Sequence, residues 1–204
     1  MKRFYVAALT GRSGSGKSYA SEYLAEKGTL TIDSDVLARE VVEKGSKCLD
    51  ELVEEFSSEI LKADSTLDRK KLADICFANE RKKSKLDRII HPYIIERLLS
   101  CFDELKENGA RYCVVEAGAL VESGLYAVCD RIVMITADED KQIERIMLRD
   151  GITLQQAQTR LEAQLHAAEL KDLCDMIITN NGTLEEFDIK LDSLAGQLNL
   201  WFEQ

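Results

Sequence analysis

A glycine-rich segment near the start of the chain has the spacing of a phosphate-binding loop. Residues 11–18 read Gly-Arg-Ser-Gly-Ser-Gly-Lys-Ser and match the pattern G-x-x-x-x-G-K-[S/T] without a gap. Such a loop needs glycine because its backbone N–H groups approach phosphate oxygens closely, and the helix that follows turns its positive end to the same anion. We expect Lys17 to reach the terminal phosphates of a nucleotide and the Ser18 hydroxyl to bind Mg²⁺.

Two carboxylates, Asp33 and Asp35, follow the second apolar run of the chain. Ligands of open α/β sheets bind at the carboxyl ends of strands, and two residues that are two apart in extended chain point the same way. One carboxylate could accept a proton from an acceptor hydroxyl while the other orients Mg²⁺ through water. The alternative is that one of them, or Ser34, only caps a helix that begins near Val36.

Short apolar runs alternate with helical patterns along the chain. Such runs are typical of strands buried on both faces of a parallel sheet, so the sequence predicts a three-layer α/β fold with five parallel strands. The predicted strands are 4–9, 30–32, 112–115, 131–136 and 176–179, and the helices between and after them are 17–26, 34–43, 138–149 and 184–200.

Two longer helical stretches interrupt this alternation. Residues 48–107 are predicted to be almost entirely helical, with caps at Ser46, Asp68 and Asn79 and a stop at Asn108-Gly109. We interpret 46–108 as a helical acceptor-binding insertion within one domain, 1–204. A second stretch, 141–173, is rich in charged residues and glutamine, which favours a mobile lid but also fits a solvated helical face.

Charge and hydropathy exclude several classes of protein. With 27 Lys and Arg against 37 Asp and Glu, the formal charge is −10, which argues against a nucleic-acid or anionic-membrane binder but not against a small anionic ligand. No apolar run approaches the roughly 20 residues of a membrane-spanning helix. The first apolar run leads into the glycine loop rather than into a signal-peptide cleavage site, so we expect a cytoplasmic protein whose six cysteines are reduced.

The loop alone does not separate a kinase from an ATPase or a GTPase. A GTPase would carry an N-K-x-D-like segment after a late strand, where residues 176–182 read Met-Ile-Ile-Thr-Asn-Asn-Gly instead. Glu116 ends an apolar strand, as the carboxylate of a hydrolytic motor does, but it could equally be a polar strand end.

Further motifs, found in order along the chain, resemble the dephospho-coenzyme A kinase family of the P-loop nucleoside-monophosphate-kinase-like fold. Residues 33–39 resemble the family's D-A-D-x-x-A-R signature, and His91-Pro92 matches its His-Pro pair. Residues 122–126 match the segment after the third strand of the family. Its lid and its last-strand segment match at 142–145, 149–151, 160–164 and 180–182.

This resemblance implies ATP-dependent phosphorylation of the ribose 3′-hydroxyl of dephospho-coenzyme A, the last step of coenzyme A biosynthesis. Its cofactors would be ATP and Mg²⁺, its partners small molecules only, and its state a monomer or weak homo-oligomer. Asp35, or else Asp33, would take the hydroxyl proton, and sequence does not decide between them.

The resemblance also implies a set of site residues. Arg145 and Arg149, four apart on one helical face, would close over the transferring group unless they are surface arginines beside Glu144 and Asp150. The implied catalytic residues are Lys17, Asp33, Asp35 and Arg145, with Ser18 as the metal ligand. The implied nucleotide contacts are Gly11, Gly14, Ser15, Gly16, Lys17, Ser18, Tyr19, Arg149, Asn180 and Gly182. The implied acceptor contacts are Thr10, Asp33, Arg39, His91 and Glu122.

Several positions depart from the family pattern. The loop has Arg12-Ser13 where Gly-Ile is usual, and we expect Arg12 to add bulk and charge near the acceptor side of the phosphates. Gly118-Ala119 replaces Pro-Leu in the third-strand motif. These changes leave two alternatives, a related kinase with a changed nucleotide-like acceptor and a non-catalytic ATP-binding regulatory protein. His91 stands beside the only proline, at an expected helix start, and His166 receives no role.

Overall fold

Five strands build one parallel sheet. They are β1 Tyr5–Thr10, β2 Thr31–Asp33, β3 Tyr112–Glu116, β4 Arg131–Thr136 and β5 Met176–Thr179, and they lie in the order β2-β3-β1-β4-β5. β1 pairs with β3 and with β4, so both edges of its backbone are hydrogen-bonded, and its apolar side chains are buried from Val6 to Leu9. The predicted α/β fold with a five-stranded parallel sheet is confirmed.

Nine α-helices are found in the computed structural model, which describes residues 3–77, 79–165 and 167–202. They are α1 Lys17–Glu26, α2 Ser34–Glu40, α3 Lys47–Phe56, α4 Arg69–Phe77, α5 Glu80–Glu107, α6 Glu139–Asp150, α7 Leu154–Glu162, α8 Ala167–Lys171 and α9 Leu184–Phe202. No helix in these described ranges is long and apolar enough to cross a membrane. All six cysteines are free thiols, as predicted. His166 lies outside the described residues.

The chain divides into two compact units. The first contains the residues up to Asp33 and those from Leu105 onward, and the second is Ser34–Glu104. The sheet, α1 and α6–α9 thus belong to the first unit, and α2–α4 with most of α5 belong to the second.

Helices α1 and α9 pack together in the core of the first unit. Apolar residues recur along α9 at helical spacing and are buried against the sheet, together with Leu24 of α1. Two polar contacts fix the pairing of these helices: the Tyr19 hydroxyl donates to Asp188 at 2.8 Å and the Tyr23 hydroxyl donates to Asp192 at 2.9 Å. The helix that follows the phosphate loop is therefore held along its length.

Side-chain caps begin the helices of the second unit where the sequence predicts them. Ser46 Oγ accepts from the Leu49 N–H at 3.2 Å, Asp68 Oδ1 from Lys71 at 3.1 Å and Asn79 Oδ1 from Arg81 at 2.9 Å. These bonds satisfy N–H groups that have no partner inside the helix. All three predicted caps are confirmed.

Two predictions within the second unit are wrong. The stretch 48–107 is not almost entirely helical, because a 3₁₀ turn at Ser58–Ile60 and an antiparallel bridge between Leu61 and Leu67 separate α3 from α4. The helix also does not start at His91, since α5 runs through Pro92. Apolar residues on both sides of the proline keep the helical spacing, and their burial offsets the hydrogen bond that proline cannot make.

Candidate active site

The phosphate loop joins β1 to α1, and its glycines are required by close packing. Gly14 and Gly16 have φ values of +75° and +102°, which favour glycine. A Cβ atom on Gly14 would lie 2.4 Å from the Gln142 carbonyl oxygen of α6, and one on Gly16 would lie 2.4 Å from Asn180 Nδ2. The loop is thus seated between α6 and the segment after β5.

Lys17 and Ser18, the first two residues of α1, both contact the carboxylate of Glu116. The Lys17 ammonium lies 2.5 Å from Glu116 Oε1, and the Ser18 hydroxyl donates to the same oxygen at 2.7 Å. Only 12% of the lysine side chain and 8% of the glutamate side chain are exposed. Burial raises the pKa of the Glu116 carboxyl. Lys17 and the hydroxyl groups that donate to this carboxylate lower the pKa by a larger amount, so the pKa lies below its ordinary value. The glutamate is therefore ionised at neutral pH.

Asp33 lies beside Glu116 at the carboxyl edge of the sheet. The two residues are register partners in the β2–β3 pair, and neighbouring strands are about 4.8 Å apart. The sequence predicts Asp33 and Asp35 in extended chain, but the structure differs. β2 ends at Asp33, and α2 begins at Ser34. The extended-chain argument for the two carboxylates therefore does not apply, and α2 starts at Ser34, as the predicted helix 34–43 does.

Arg145 and Asn180 hold the backbone of the phosphate loop. Arg145 Nη1 donates to the Gly14 carbonyl at 3.1 Å, while its Nη2 donates to the Asn180 carbonyl at 3.0 Å. The Asn180 side chain in turn donates to the Ser15 carbonyl at 2.9 Å. These contacts orient the carbonyls of the loop away from its N–H groups, which is what anion binding by a backbone loop needs.

Other predicted nucleotide contacts are distributed around this loop. Arg149, one turn after Arg145, pairs with its neighbour Asp150 at 2.8 Å and is more than half exposed. Tyr19 is held on Asp188, and this hydrogen bond, with burial, raises the pKa of Tyr19 to about 12. Gly182 is exposed just before α9. The structure thus brings Asn180 and Arg145 to the loop, and it directs the guanidinium of Arg149 to Asp150.

The predicted acceptor contacts fall into two groups. In the first unit, Thr10 ends β1 with a fully buried side chain, and Glu122 is exposed in the turns that follow β3. In the second unit, Arg39 is exposed on α2 and His91 is half-buried on α5, with its Nε2 3.9 Å from Asp87 Oδ1.

Comparison with known proteins decides which kind of phosphate loop this is. A family model described as Dephospho-CoA kinase matches residues 5–186. The chain belongs to the dephospho-CoA kinase family. The match spans the phosphate loop, the carboxyl edge of the sheet and Asn180, so the candidate active site lies within the region that defines this family.

Individual relatives and solved structures resemble the chain over nearly its full length. A dephospho-CoA kinase of Oceanobacillus iheyensis is 37% identical over 195 residues, which cover 96% of this chain and 98% of the relative. A structure from Thermus thermophilus matches with a TM-score of 0.81 and 25% identity, covering 97% of this chain and 99% of that one. The structure of a dephospho-CoA kinase from Campylobacter jejuni matches with a TM-score of 0.71 and 25% identity, covering 95% and 96%.

Glu116 is the residue that sequence reasoning left open and that geometry places in the site. In the sequence, Glu116 is a carboxylate at the end of an apolar strand. That pattern fits a functional carboxylate and a merely polar strand end equally well. Register decides between the two, because Glu116 pairs with Leu9 of β1, close to the start of the loop, and contacts both Lys17 and Ser18.

The donor atoms at this point also fit Mg²⁺. The Ser18 hydroxyl and the Glu116 carboxylate are oxygen donors 2.7 Å apart, with the Asp33 carboxylate on the neighbouring strand. Mg²⁺ prefers oxygen ligands and uses one or two carboxylates together with phosphates and water. Ser18 and Glu116 are therefore the residues that would hold the ion.

Proposed function

We propose that this protein transfers the γ-phosphoryl group of ATP to the ribose 3′-hydroxyl of dephospho-coenzyme A. The observation that supports this most strongly is the cluster of Lys17, Ser18 and Glu116 at the phosphate loop, in a chain that belongs to the dephospho-CoA kinase family. Phosphoryl transfer depends on positioning and on neutralising charge, and this cluster supplies both.

Lys17 is proposed to exchange partners when ATP binds. Its ammonium pairs with Glu116 and would turn to the β- and γ-phosphates of ATP. The loop N–H groups from Gly14 to Ser18 would receive the remaining phosphate oxygens. Because Arg145 and Asn180 already fix the loop, little reorganisation is needed at this step.

Mg²⁺ is proposed to bind at the Ser18 hydroxyl, with Glu116 holding it directly or through water. Bound there, it would neutralise the negative charge of the β- and γ-phosphates. Once Lys17 has left Glu116, the ionised carboxylate supplies the negative charge that a divalent cation requires.

Transfer itself is proposed to be an in-line displacement with one proton acceptor. The 3′-oxygen of the acceptor forms a bond to the γ-phosphorus, the bond to the β–γ bridging oxygen breaks, and ADP leaves. The hydroxyl proton goes to Asp35 or to Asp33, the two carboxylates between which the base assignment is open. Arg145 is proposed to stabilise the transferring group and Arg149 to bind the nucleotide.

Arg39 is proposed to contact an anionic group of the acceptor. The other acceptor contacts that the resemblance implies are Thr10, Asp33, His91 and Glu122. The insertion 46–108 and the lid region 141–173 keep the acceptor-binding and closing roles that the sequence suggests. The cytoplasmic location and the monomeric or weakly oligomeric state stay predictions.

A test of acceptor identity measures ADP release with dephospho-coenzyme A against a panel of nucleosides and nucleotides. We expect turnover with dephospho-coenzyme A at least 100-fold above every other acceptor, and a product phosphorylated at the 3′-oxygen. Turnover with only another acceptor would reveal a related kinase with changed specificity. ATP binding without any turnover would identify a regulatory protein.

A further inference from the structure

Arg12 directs its guanidinium at the end of helix α7. Its Nη2 donates to the Leu161 carbonyl at 2.6 Å, its Nη1 lies 3.4 Å from Glu139 Oε2, and only 9% of the side chain is exposed. The last carbonyls of a helix have no partner within the helix and attract cations. The guanidinium is thus occupied by α6 and α7, whereas the sequence led us to expect it beside the acceptor.

A second contact connects the next loop residue to the same turn. The Ser13 N–H donates to Gln164 Oε1 at 2.9 Å, and the Gln164 N–H donates to the Leu161 carbonyl at 3.1 Å. Two consecutive loop residues therefore hold one carbonyl and one side chain at the C-terminal end of α7. Both hydrogen bonds, from Arg12 to Leu161 and from Ser13 to Gln164, require the C-terminal end of α7 to lie against the phosphate loop.

Burial makes the arginine costly at this position. Among the described residues, no hydrogen-bond partner reaches Arg12 Nε, and a buried polar atom without a partner destabilises the folded state. Filling space would be achieved at lower cost by an apolar side chain. What the guanidinium adds is a directed bond to Leu161 and a charge opposite to that of Glu139.

We propose that Arg12 is a positioning residue that docks the C-terminal turn of α7 on the phosphate loop and thereby keeps Gln164 on the Ser13 N–H. This inference rests on the proposed function in one respect, the binding of ATP to the loop. The docked turn places the loop and the end of α7 in one arrangement before ATP arrives. A protein without Arg12 must order these residues during binding, and that cost lowers its apparent affinity for ATP.

The experiment compares Arg12→Ala, Arg12→Lys and Gln164→Ala with the matched control Arg131→Ala. Arg131 is also paired with a carboxylate, Asp175, but lies at the opposite end of its strand from the loop. In Arg12→Ala we expect hydrogen exchange of the amides of 160–164 to rise at least tenfold in the nucleotide-free protein. We expect KM for ATP to rise about 3- to 10-fold, with kcat changed less than twofold, and the control to match the wild type in both.

Rescue and non-additivity separate positioning from packing. Arg12→Lys keeps one donor and the charge, so it should recover part of the KM. Gln164→Ala should raise KM on its own but add nothing to Arg12→Ala, because the alanine at position 12 already releases the turn that carries Gln164.

Several outcomes would overturn the proposal. Unchanged exchange at 160–164 in Arg12→Ala would mean that no docking depends on this residue. Increased exchange with an unchanged KM would mean that Arg12 only caps α7 and does not aid ATP binding. Full additivity of the effects of the two alanine variants on KM would mean that Arg12 does not position Gln164. If the wild type fails to phosphorylate dephospho-coenzyme A, ATP affinity is measured directly. Weaker binding by Arg12→Ala would then support this inference although the proposed function had failed.

Discussion

The phosphate loop and the helical unit Ser34–Glu104 hold their charged residues in opposite ways. Lys17 and Glu116 are nearly buried and fixed by contacts inside one unit. In the helical unit, by contrast, the Arg97–Glu40 pair leaves more than a third of each side chain exposed. Exposed pairs contribute little to stability, about 0–1 kcal/mol each. The charges of the loop are thus organised before any ligand binds, whereas those of the helical unit remain accessible to one.

The largest effect is expected when the carboxylate that serves as the base is replaced. This substitution tests whether the base is Asp33 of the first unit or Asp35 of the helical unit. We expect one of Asp33→Asn and Asp35→Asn to lower kcat by on the order of 10²–10⁴-fold, the scale for removing a general base. The other variant should change kcat by less than about tenfold. Single-turnover rates with dephospho-coenzyme A give the measurement.

Asp50→Asn, on the exposed side of α3, is the matched control for the loss of one carboxylate. A large loss in Asp35→Asn alone would assign the base to Asp35. Equal and small losses in both variants would contradict the assignment of either residue as base.

Lys17→Met is expected to lower kcat by about 10²–10³-fold, because the charge that stabilises the transferring group is lost. It also leaves the buried Glu116 carboxylate unpaired, which destabilises the fold. The double variant Lys17→Met, Glu116→Gln should recover the thermal stability but not the activity. Lys27→Met, at the other end of α1 and paired with Asp192, is the control. Recovery of turnover in the double variant would contradict the proposed role of Lys17.

Glu116→Gln is expected to raise the Mg²⁺ concentration for half-maximal activity by about 10- to 100-fold, the usual range for outer ligands of a metal site. The amide keeps the shape of the side chain and can still accept from Ser18, so the thermal stability should change less than the Mg²⁺ dependence. Titration of activity with Mg²⁺ at saturating ATP provides the measurement. A lower kcat with an unchanged Mg²⁺ midpoint would mean that Glu116 acts only by pairing with Lys17 and does not help to bind Mg²⁺.

Arg39→Ala tests the accessible charges of the helical unit. A hydrogen bond to a charged group contributes about 1.5–3 kcal/mol, so we expect KM for dephospho-coenzyme A to rise about tenfold or more with KM for ATP unchanged. Arg81→Ala, on the exposed face of α5, is the matched control. If KM rises only for ATP, Arg39 acts on the loop side instead of binding the acceptor.

The smallest effect concerns the lid region 141–173. ATP is expected to slow proteolytic cleavage there by a few-fold, since a segment that closes over a nucleotide becomes less accessible. Cleavage sites outside 141–173 serve as the internal reference. Equal protection of all sites would indicate general stabilisation by ligand binding and would contradict a local closure.

The fold and the loop could be predicted largely from local patterns, and the contacts around them could not. The glycine spacing, the five apolar runs and the caps at Ser46, Asp68 and Asn79 are local, and the structure confirms them. The direction of Arg12 and the selection of Glu116 depend on partners 149 and 99 residues away in the chain. The extended arrangement expected for Asp33 and Asp35 is absent for a different reason, because β2 ends at Asp33, two residues before Asp35.

The contact between Asn180 and the phosphate loop has a consequence for folding during synthesis. Asn180 and its partner Ser15 are 165 residues apart, and a ribosome adds about 5–20 residues per second. On the order of 10 to 30 s therefore pass between the emergence of the loop and that of the residue that secures it. During this interval β1 also waits for both of its neighbours, β3 and β4, so an apolar strand with two unpaired edges is present in the nascent chain. A chaperone that covers the first apolar run for this time would shield these two edges from other chains.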